Sequence, residues 1–575
     1  MDSMSSVPAG RVLCKSPMQC EQGLHSHLTL HNEASVDPRP NKALEPVWLD
    51  ILLHGYRHQD LVVAVATRGV AHKLNSPRPP DGNHVRNHTS TRKYTQALIR
   101  SVSDGQASGT YLVLELPTAL RWSELRFSPF GCVPKKDVDP LSKHGLSMTC
   151  QYESVRRLAE KIEVLARQYP QLQVKVLKGD VKSAFGLIPV DAKLAAHFAG
   201  SCGGLAIVDM TLPFGWTGLP AHYGAFGGAI SFLVARESPK SLDPIEQDDE
   251  SFFSFVWVDD HILLEVDRGN RLALAETALR LSMIATLGPK SINEKKFSSW
   301  STRLVALGLT CDTQRRTISI PADKVHKALN RISDALSHPT VSRHQVEKLL
   351  RSLRYLAICC RSTRAFLQRL HQLWRRSSRF QSIRLPQDAR HDLRWVASLL
   401  QNGAANRVAT SIMADTLEPA VHLFMDASNE GIAVLYPAAR EYIRLQFDEE
   451  ERLGMKLPTS GSTSWFSINV REALSAVLSV LVWGPQWQAT CRPKDRPLHV
   501  RCWIDNASAV AWLGDHNTKT PAGQELTRVL YCAELSFNLH VTSKHLEGSS
   551  NYLCGSRIKS VDWANSNSTK MDQSC

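Results

Sequence analysis

The stretch FFSFVWVDDHILLEV, Phe252 to Val266, sets Asp259 and Asp260 side by side in a run that is otherwise almost wholly apolar. Strand-forming residues flank the pair and His261, which predicts a β-hairpin with the acids at its tip. Ionised carboxylates cost several kcal/mol each in apolar surroundings unless a cation or hydrogen-bond donors compensate. The pair is therefore either a solvated turn, the ordinary interpretation of an isolated Asp-Asp, or part of a metal site.

A third carboxylate stands upstream, in LQVKVLKGDVKSAFGLIPV, residues 172–190. Its apolar residues alternate with polar ones, which predicts a strand that ends at Asp180. A carboxylate at a strand end, beside a hairpin tip with two more, would supply oxygen ligands for Mg²⁺. Two such ions about 3.5–4 Å apart assist phosphoryl transfer. Between the blocks, LPFGWTGLP (residues 212–220) contains Gly215 and Gly218, where the backbone could approach a ligand closely.

Length and composition limit the class of protein. A chain of 575 residues with 43% hydrophobic content can bury several cores, at about 100–200 residues per domain. The formal charge of +13 suits a polyanionic partner, and nucleic acid is the leading candidate. The thirteen cysteines show no repeated spacing and no apolar run reaches about 18 residues. We therefore expect an intracellular protein, cytoplasmic or nuclear, that does not bind membranes.

Composition also changes along the chain. Residues 1–45 are polar and aperiodic and predict a disordered arm, and residues 566–575 predict a disordered tail. The acidic tract 237–250 predicts a surface loop. From residue 322 to 400 a basic pattern with an apolar stripe predicts helices. Strand-like alternation returns near residue 415, and from Ser464 the pattern indicates strand, helix, strand, helix, which predicts a second α/β unit.

Three further acids lie on three predicted elements of that second unit. Asp426 lies in VHLFMDASNEGIAVLYP (residues 421–437), Glu472 in INVREALSAVLSVL (468–481), and Asp505 in VRCWIDNASAVAWL (500–513). Together they could converge on a metal site. Taken singly, Asp426 or Asp505 could instead cap a helix, and Glu472 could occupy a solvated helix position.

The ordered set DVKSAF, LPFGWTGLP, WVDDH, SINEKKF and ALGL resembles the palm of a reverse transcriptase, most closely that of the DIRS-like retroelements. The resemblance spans residues 45–560. It implies an α+β right-hand polymerase followed by an α/β ribonuclease H-like domain. Fingers and palm would occupy residues 46–321, a helical thumb or connection residues 322–414, and the ribonuclease H-like domain residues 415–565.

By that resemblance Asp180, Asp259 and Asp260 would be catalytic and would hold the Mg²⁺ or Mn²⁺ ions of DNA synthesis. The partners implied are an RNA or DNA template, a primer 3′ end and dNTPs. Ordinary alternatives stay open for two residues: Phe185 as a core aromatic, and Lys296 as a solvated surface lysine. The residues that the family implies for nucleotide binding are Phe185, Gly215, Lys296, Lys135 and Lys136.

The second unit resembles ribonuclease H through the order Asp426, Glu472, Asp505, which would hold Mg²⁺ for hybrid cleavage, with His545 in the closing segment. Two departures count against full activity. Cys554 and Gly555 stand where the family has Ala and Asp, so a fourth carboxylate is missing, and the fingers segment LSKHGLSMT (141–149) is shortened. The sequence therefore predicts an RNA-directed DNA polymerase, with a degenerate, inactive copy that keeps only nucleic-acid binding as the alternative.

Overall fold

The computed structural model describes residues 40–71, 86–132, 154–216, 218–378, 381–401, 406–456, 466–490, 496–515, 518 and 520–547. Over these ranges the chain has a mixed α/β fold. It divides into two compact units, Met1–Leu307 (unit 1) and Gly308–Cys575 (unit 2). Nearly all of the predicted arm 1–45 and the whole tail 566–575 lie outside the described residues. Within the described ranges, no helix has the length and apolarity needed to cross a membrane.

Unit 1 alternates helices with short strands. Its strands are β1 (Tyr111–Glu115), β2 (Val174–Asp180), β3 (Ala199–Cys202), β4 (Leu205–Asp209), β5 (Ser254–Trp257), β6 (Asp260–Val266) and β7 (Arg303–Ala306). Its helices are α1 (Pro46–Leu52), α2 (Gln59–Arg68), α3 (Ser90–Lys93), α4 (Thr95–Ser108), α5 (Leu116–Ala119), α6 (Val155–Gln168), α7 (Ala192–Ala195), α8 (Leu219–Arg236), α9 (Pro239–Leu242) and α10 (Arg271–Leu287). A 3₁₀ turn, Ala184–Leu187, follows β2.

The sheet that matters for the site has the strand order β2-β6-β5, all antiparallel. The predicted hairpin is present, but its tip lies one residue earlier than the sequence indicates. Trp257 pairs with Asp260, so Val258 and Asp259 form the turn, and Asp260 and His261 belong to β6. His261 is wholly buried, and burial lowers its pKa to about 3. The two-residue period of the strand turns His261 into the core, which an interpretation as a polar turn misses.

The hairpin tip is strained and lies close to helix α8. Val258 adopts a left-handed φ of 54°, which is strained for a β-branched residue. Helix α8 packs against β5, and Gly227 lies where an added Cβ would stand 3.1 Å from the Val256 side chain and 3.2 Å from the Val258 carbonyl oxygen. Because glycine has no Cβ, the helix can lie close beneath the tip.

The sequence predicts a surface loop for the acidic tract 237–250, but the structure shows that this tract is not a plain loop. It contains α9, and its Asp248 accepts a hydrogen bond of 2.8 Å from Arg271 on α10. Arg271 is 1% exposed. It also donates a hydrogen bond of 2.6 Å to the fully buried Glu265. The tract is therefore anchored by a buried ion-pair network.

Unit 2 begins with two short strands, and the predicted helical region follows them. Its described helices are α11 (Ala322–Ser337), α12 (Arg343–Leu356), α13 (Gln368–Arg376), α14 (Gln387–Gln401), α15 (Thr410–Met413), α16 (Glu449–Lys456), α17 (Ile468–Thr490), α18 (Ala507–Asp515) and α19 (Pro521–Phe537). Its described strands are β8 (Leu309–Asp312), β9 (Thr317–Ser319), β10 (Thr340–Ser342), β11 (Ser382–Arg384), β12 (Arg407–Ala409), β13 (Val421–Ala427), β14 (Gly431–Tyr436), β15 (Glu441–Gln446), β16 (Leu498–Ile504) and β17 (Leu539–His545). Two 3₁₀ turns, Arg361–Phe366 and Pro437–Ala439, complete it. The apolar stripe of α12 is buried as predicted.

The main sheet of unit 2 has the order β15-β14-β13-β16-β17, with β13, β16 and β17 parallel. Helix α17 packs on one face of β13 with the apolar residues that the sequence indicates, among them Ala476, Val477 and Val480. The prediction of a strand near Ser464 is wrong for the described part of this stretch, because helix α17 begins there at Ile468.

Two candidate acidic metal centres

The N-terminal acidic site consists of Asp180, Asp259 and Asp260. Asp180 ends β2 and lies directly opposite Asp260, the first residue of β6, and Asp259 immediately precedes Asp260 in the turn. The backbone N–H of Val181 donates to the Asp259 carbonyl oxygen at 2.9 Å. Adjacent antiparallel strands thus bring Asp180 next to Asp259 and Asp260, which lie 79 and 80 residues further along the chain, as the sequence predicts.

Two lysines compensate the charge of this site. The ammonium group of Lys296 donates to Asp180 at 2.7 Å, and that of Lys178 donates to Asp260 at 2.8 Å. The side-chain amide of Asn293 also donates to Asp180, at 2.5 Å. Lys296 is among the predicted residues, whereas Lys178 and Asn293 are not. Lys178 could have been found from its spacing, because residues two apart on a strand share a face with Asp180.

Burial and mutual repulsion shape the protonation of this site. Burial raises the pKa of Asp259, and the neighbouring charges of Asp260 and Asp180 raise it further. Burial also raises the pKa of Asp260, against the opposing effect of Lys178. The hydrogen bond to Asp180 raises the pKa of Lys296, which stays protonated. A buried, mutually repelling set of carboxylates is a chemical fit for a hard divalent cation.

The other predicted nucleotide-binding residues of unit 1 differ in their surroundings. Phe185 lies in the 3₁₀ turn directly after the site and packs edge-on against buried Tyr223, with ring centroids 5.4 Å apart. It is only partly buried, and the ring of Phe214, 79% exposed, lies 6.4 Å away. Gly215 has a left-handed φ of 99°, and no described atom beyond its chain neighbours would lie within 4 Å of a Cβ added there. Lys135 and Lys136 lie outside the described residues.

The C-terminal acidic site consists of Asp426, Glu472 and Asp505. Asp426 lies near the end of β13, Glu472 on the first turns of α17, and Asp505 directly after β16. One ligand oxygen from each lies within 4.8 Å of the others. In the part of the chain that the structure describes, no other set of three His, Cys, Asp or Glu side chains meets that spacing. The N-terminal acidic site is therefore wider, with two of its carboxylates engaged by lysines.

Glu472 has the most perturbed environment of this trio. It is 1% exposed, and one carboxylate oxygen accepts the Ala427 N–H at 2.9 Å. The other oxygen is buried and has no hydrogen-bond partner among the described residues. Burial, then the charges of Asp505 and Asp426, raise its pKa to about 8. A buried carboxylate oxygen without a donor, facing two further carboxylates, fits a divalent cation. The alternative of a solvated position for Glu472 is wrong.

The capping alternative fails for Asp505. Asn506 caps α18 instead, because its side-chain oxygen accepts the Ala509 N–H at 3.0 Å. Its amide group donates to Asn469 on α17, at 2.8 Å. His545 ends β17, and its Nε2 lies 3.0 Å from the Asp505 backbone carbonyl oxygen. The predicted closing residue is thus beside the site, whereas Cys554 and Gly555 lie outside the described residues.

Neither a family model nor a curated protein matches this chain. Among solved structures it is similar to the foamy viral protease-reverse transcriptase. One such structure, with double-stranded DNA, is 12% identical, with a TM-score of 0.42 and coverage of 87% of this chain and 81% of that chain. Another, with RNA/DNA hybrid, is 12% identical, with a TM-score of 0.43 and coverage of 92% and 65%. A third, also with double-stranded DNA, is 13% identical, with a TM-score of 0.41 and coverage of 87% and 97%. The similarity concerns the fold alone, so the function is argued below from the two acidic sites.

Proposed function

We propose that this chain is an RNA-directed DNA polymerase of a retrotransposon, joined to a ribonuclease H-like domain. The observation that carries the proposal is the strand pairing of Asp180 with Asp260, with Asp259 in the adjoining turn. This pairing gathers three carboxylates at one end of a buried sheet, beside an exposed aromatic ring and an open glycine turn. Such a centre suits the transfer of a phosphoryl group between bulky polyanions.

In this proposal Asp180, Asp259 and Asp260 would hold Mg²⁺ or Mn²⁺, which would supply stabilisation of the charge that develops during phosphoryl transfer. The primer 3′-hydroxyl would give up its proton to solvent as its oxygen forms a bond to the α-phosphorus of a dNTP, the bond from that phosphorus to the leaving oxygen would break, and pyrophosphate would depart. Lys296 would move from Asp180 to the triphosphate, which its 56% exposed side chain allows. Phe185 would lie under the sugar and exclude a 2′-hydroxyl, and Gly215 would let the backbone approach the nucleotide.

The C-terminal acidic site would act on the RNA strand of an RNA–DNA hybrid. Asp426, Glu472 and Asp505 would hold Mg²⁺, which supplies an activated water for phosphodiester hydrolysis. The close spacing of the three carboxylates and the unpartnered oxygen of Glu472 support this assignment. His545, against the Asp505 backbone, would steady one edge of the site.

Primer extension on a homopolymer RNA template tests the polymerase. The full chain is assayed with Mg²⁺ and with Mn²⁺, beside the near-isosteric variants Asp259→Asn and Asp260→Asn. We expect extension by the wild type and its loss in both variants. Equal signal from wild type and variants would identify a contaminating polymerase and overturn the proposal.

Cleavage of a labelled RNA–DNA hybrid tests the second unit separately, with Glu472→Gln as the control. We expect cleavage by the wild type and none by the variant. If the chain binds the hybrid but neither extends a primer nor cleaves, it is the degenerate copy that the sequence leaves as the alternative. The DIRS-like origin is tested by the genomic surroundings, where a tyrosine recombinase reading frame is expected.

A further inference from the structure

The main sheet of unit 2 has a second face, opposite α17. In β13 the buried residues Val421, Leu423 and Met425 contribute to the core under α17. Successive residues of a strand point to opposite faces, so His422 and Phe424 lie on the other face. Trp503 of β16 is the direct neighbour of Phe424 in the parallel pairing and shares that face.

These three residues form what we call the aromatic plate, His422, Phe424 and Trp503. The indole N–H of Trp503 donates to His422 Nδ1 at 3.1 Å, and the two ring planes differ by 16°. The hydrogen bond joins the two rings, and their planes are nearly parallel. The Phe424 ring plane is inclined by 12° to that of Trp503, with the two ring centroids 6.3 Å apart. His422 is exposed, and the other two rings are partly exposed.

The charged residues of this face are mainly positive. Lys544, exposed on β17, pairs in register with Trp503. Arg501 pairs with His422 but is only 7% exposed, so it adds positive charge beside the rings without being accessible to a ligand. Arg444 on β15 pairs with Ala433 on β14, and Ala433 pairs with Asp426 on β13. Paired residues share a face, so Arg444 lies on the same face as Asp426. Over the described strands, the positions of this face carry one carboxylate, Asp426 of the C-terminal acidic site. Apart from that site, the face combines aromatic rings with cations.

We propose that the aromatic plate is a stacking platform for unpaired bases of single-stranded nucleic acid, with the neighbouring cations at its phosphates. Bases stack on aromatic side chains whatever their sequence, and basic residues beside the rings follow the backbone. The hydrogen bond between Trp503 and His422 holds these two rings nearly parallel before a base arrives, which lowers the entropy cost of binding. A bound strand would lie two residues along β13 from Asp426. The inference goes beyond the proposed function, because stacking uses neither acidic site.

Binding of the full chain to fluorescent single-stranded oligonucleotides tests this proposal. A 12-nucleotide oligouridylate and the matching oligothymidylate are titrated in EDTA, so that neither acidic site holds a cation. Trp503→Leu should weaken binding about 5- to 150-fold, the range for loss of one or more stacked bases, and the exposed His422→Ala should weaken it less. Trp48→Leu, which removes a 64% exposed tryptophan from α1, is the matched control and should leave affinity unchanged.

Photocrosslinking locates the contact independently of affinity. The same oligonucleotides carry 5-bromopyrimidines, and we expect crosslinked peptides that contain the aromatic plate, with RNA, DNA or both. The proposal would be overturned if the folded Trp503→Leu variant bound the oligonucleotides as tightly as Trp48→Leu and crosslinks formed only in other peptides. That result would indicate that the rings serve protein packing. A duplex of the same length that binds the plate equally well would also contradict it, because paired bases cannot splay onto the rings.

Discussion

Replacing Glu472 with Gln should stabilise the cation-free protein at high pH. Glu472 is 1% exposed, and its carboxylate lies beside those of Asp426 and Asp505. Burial and these two charges raise the pKa of Glu472 from 4.5 to about 8. Gln has nearly the shape of the protonated acid but cannot ionise. The substitution therefore removes a charge that the fold tolerates only with a cation.

The expected magnitude follows from that pKa. Below pH 4.5 the side chain is protonated in both folded and unfolded states and contributes no pH dependence. Between pH 4.5 and 8 the folded state retains a proton that the unfolded state has lost, so stability falls as pH rises. At about 1.4 kcal/mol per pH unit, the ionised Glu472 costs up to about 5 kcal/mol above pH 8. The advantage of Glu472→Gln should grow from near zero at pH 4 toward that value at pH 9.

Urea unfolding in EDTA at pH 4 and pH 9 measures this difference, with hydrogen exchange of α17 peptides as the local probe. Glu449→Gln, at an exposed position on α16, is the control and should show no such trend. Adding Mg²⁺ should slow hydrogen exchange of the α17 peptides in the wild type and leave it unchanged in Glu472→Gln, because at the C-terminal acidic site only the full carboxylate set binds the ion. An advantage for Glu472→Gln that is the same at both pH values would refute the electrostatic reasoning.

Three further perturbations have defined outcomes. Arg271→Met leaves the buried Glu265 carboxylate unpaired and should cost about 3–5 kcal/mol of unfolding free energy, measured by urea unfolding of unit 1; an unchanged midpoint would contradict the ion-pair assignment. Lys178→Met removes a cation that competes for Asp260, so Mn²⁺ affinity measured by electron spin resonance at pH 7 should rise about fivefold, and weaker Mn²⁺ binding would count against this. Asn506→Ala removes the cap of α18 and should lower the free energy of protection from amide hydrogen exchange in that helix by about 1 kcal/mol, so exchange should be faster. Asn506→Asp is the conservative control.

Much of the N-terminal acidic site could be predicted from sequence, because strand-forming residues and a two-residue period locate both strands. That logic also gives the direct pairing of the strand end at Asp180 with the hairpin. It fails at the hairpin tip, where Asp260 and His261 belong to the strand, because a polar residue at a turn and one facing the interior look alike without register. The pairing of Lys178 with Asp260 was missed because a lysine between apolar residues ordinarily indicates a solvent face.

The C-terminal acidic site was predictable as a set of residues but not in its environment. The spacing of apolar residues on α17 indicates its buried face, yet the burial of Glu472 depends on β13 and β16 closing over it. Asn506, and not Asp505, caps α18, a choice between neighbouring cap-forming residues that depends on backbone geometry. The aromatic plate has no sequence signal, because it forms only when β13 and β16 lie side by side. The domain limits near residues 46, 321, 414 and 565 stay predictions.

Single-nucleotide incorporation tests the polymerase assignment most directly. A labelled DNA primer is annealed to an RNA template whose next base is adenine, and the four dNTPs are offered one at a time with Mg²⁺. We predict addition of dTTP by the wild type, with a loss of about 100-fold or more in Asp259→Asn and Asp260→Asn, since each removes cation stabilisation of several kcal/mol. Addition that ignores the template base, or that survives in both variants, would contradict the proposal that these carboxylates form a template-directed polymerase centre.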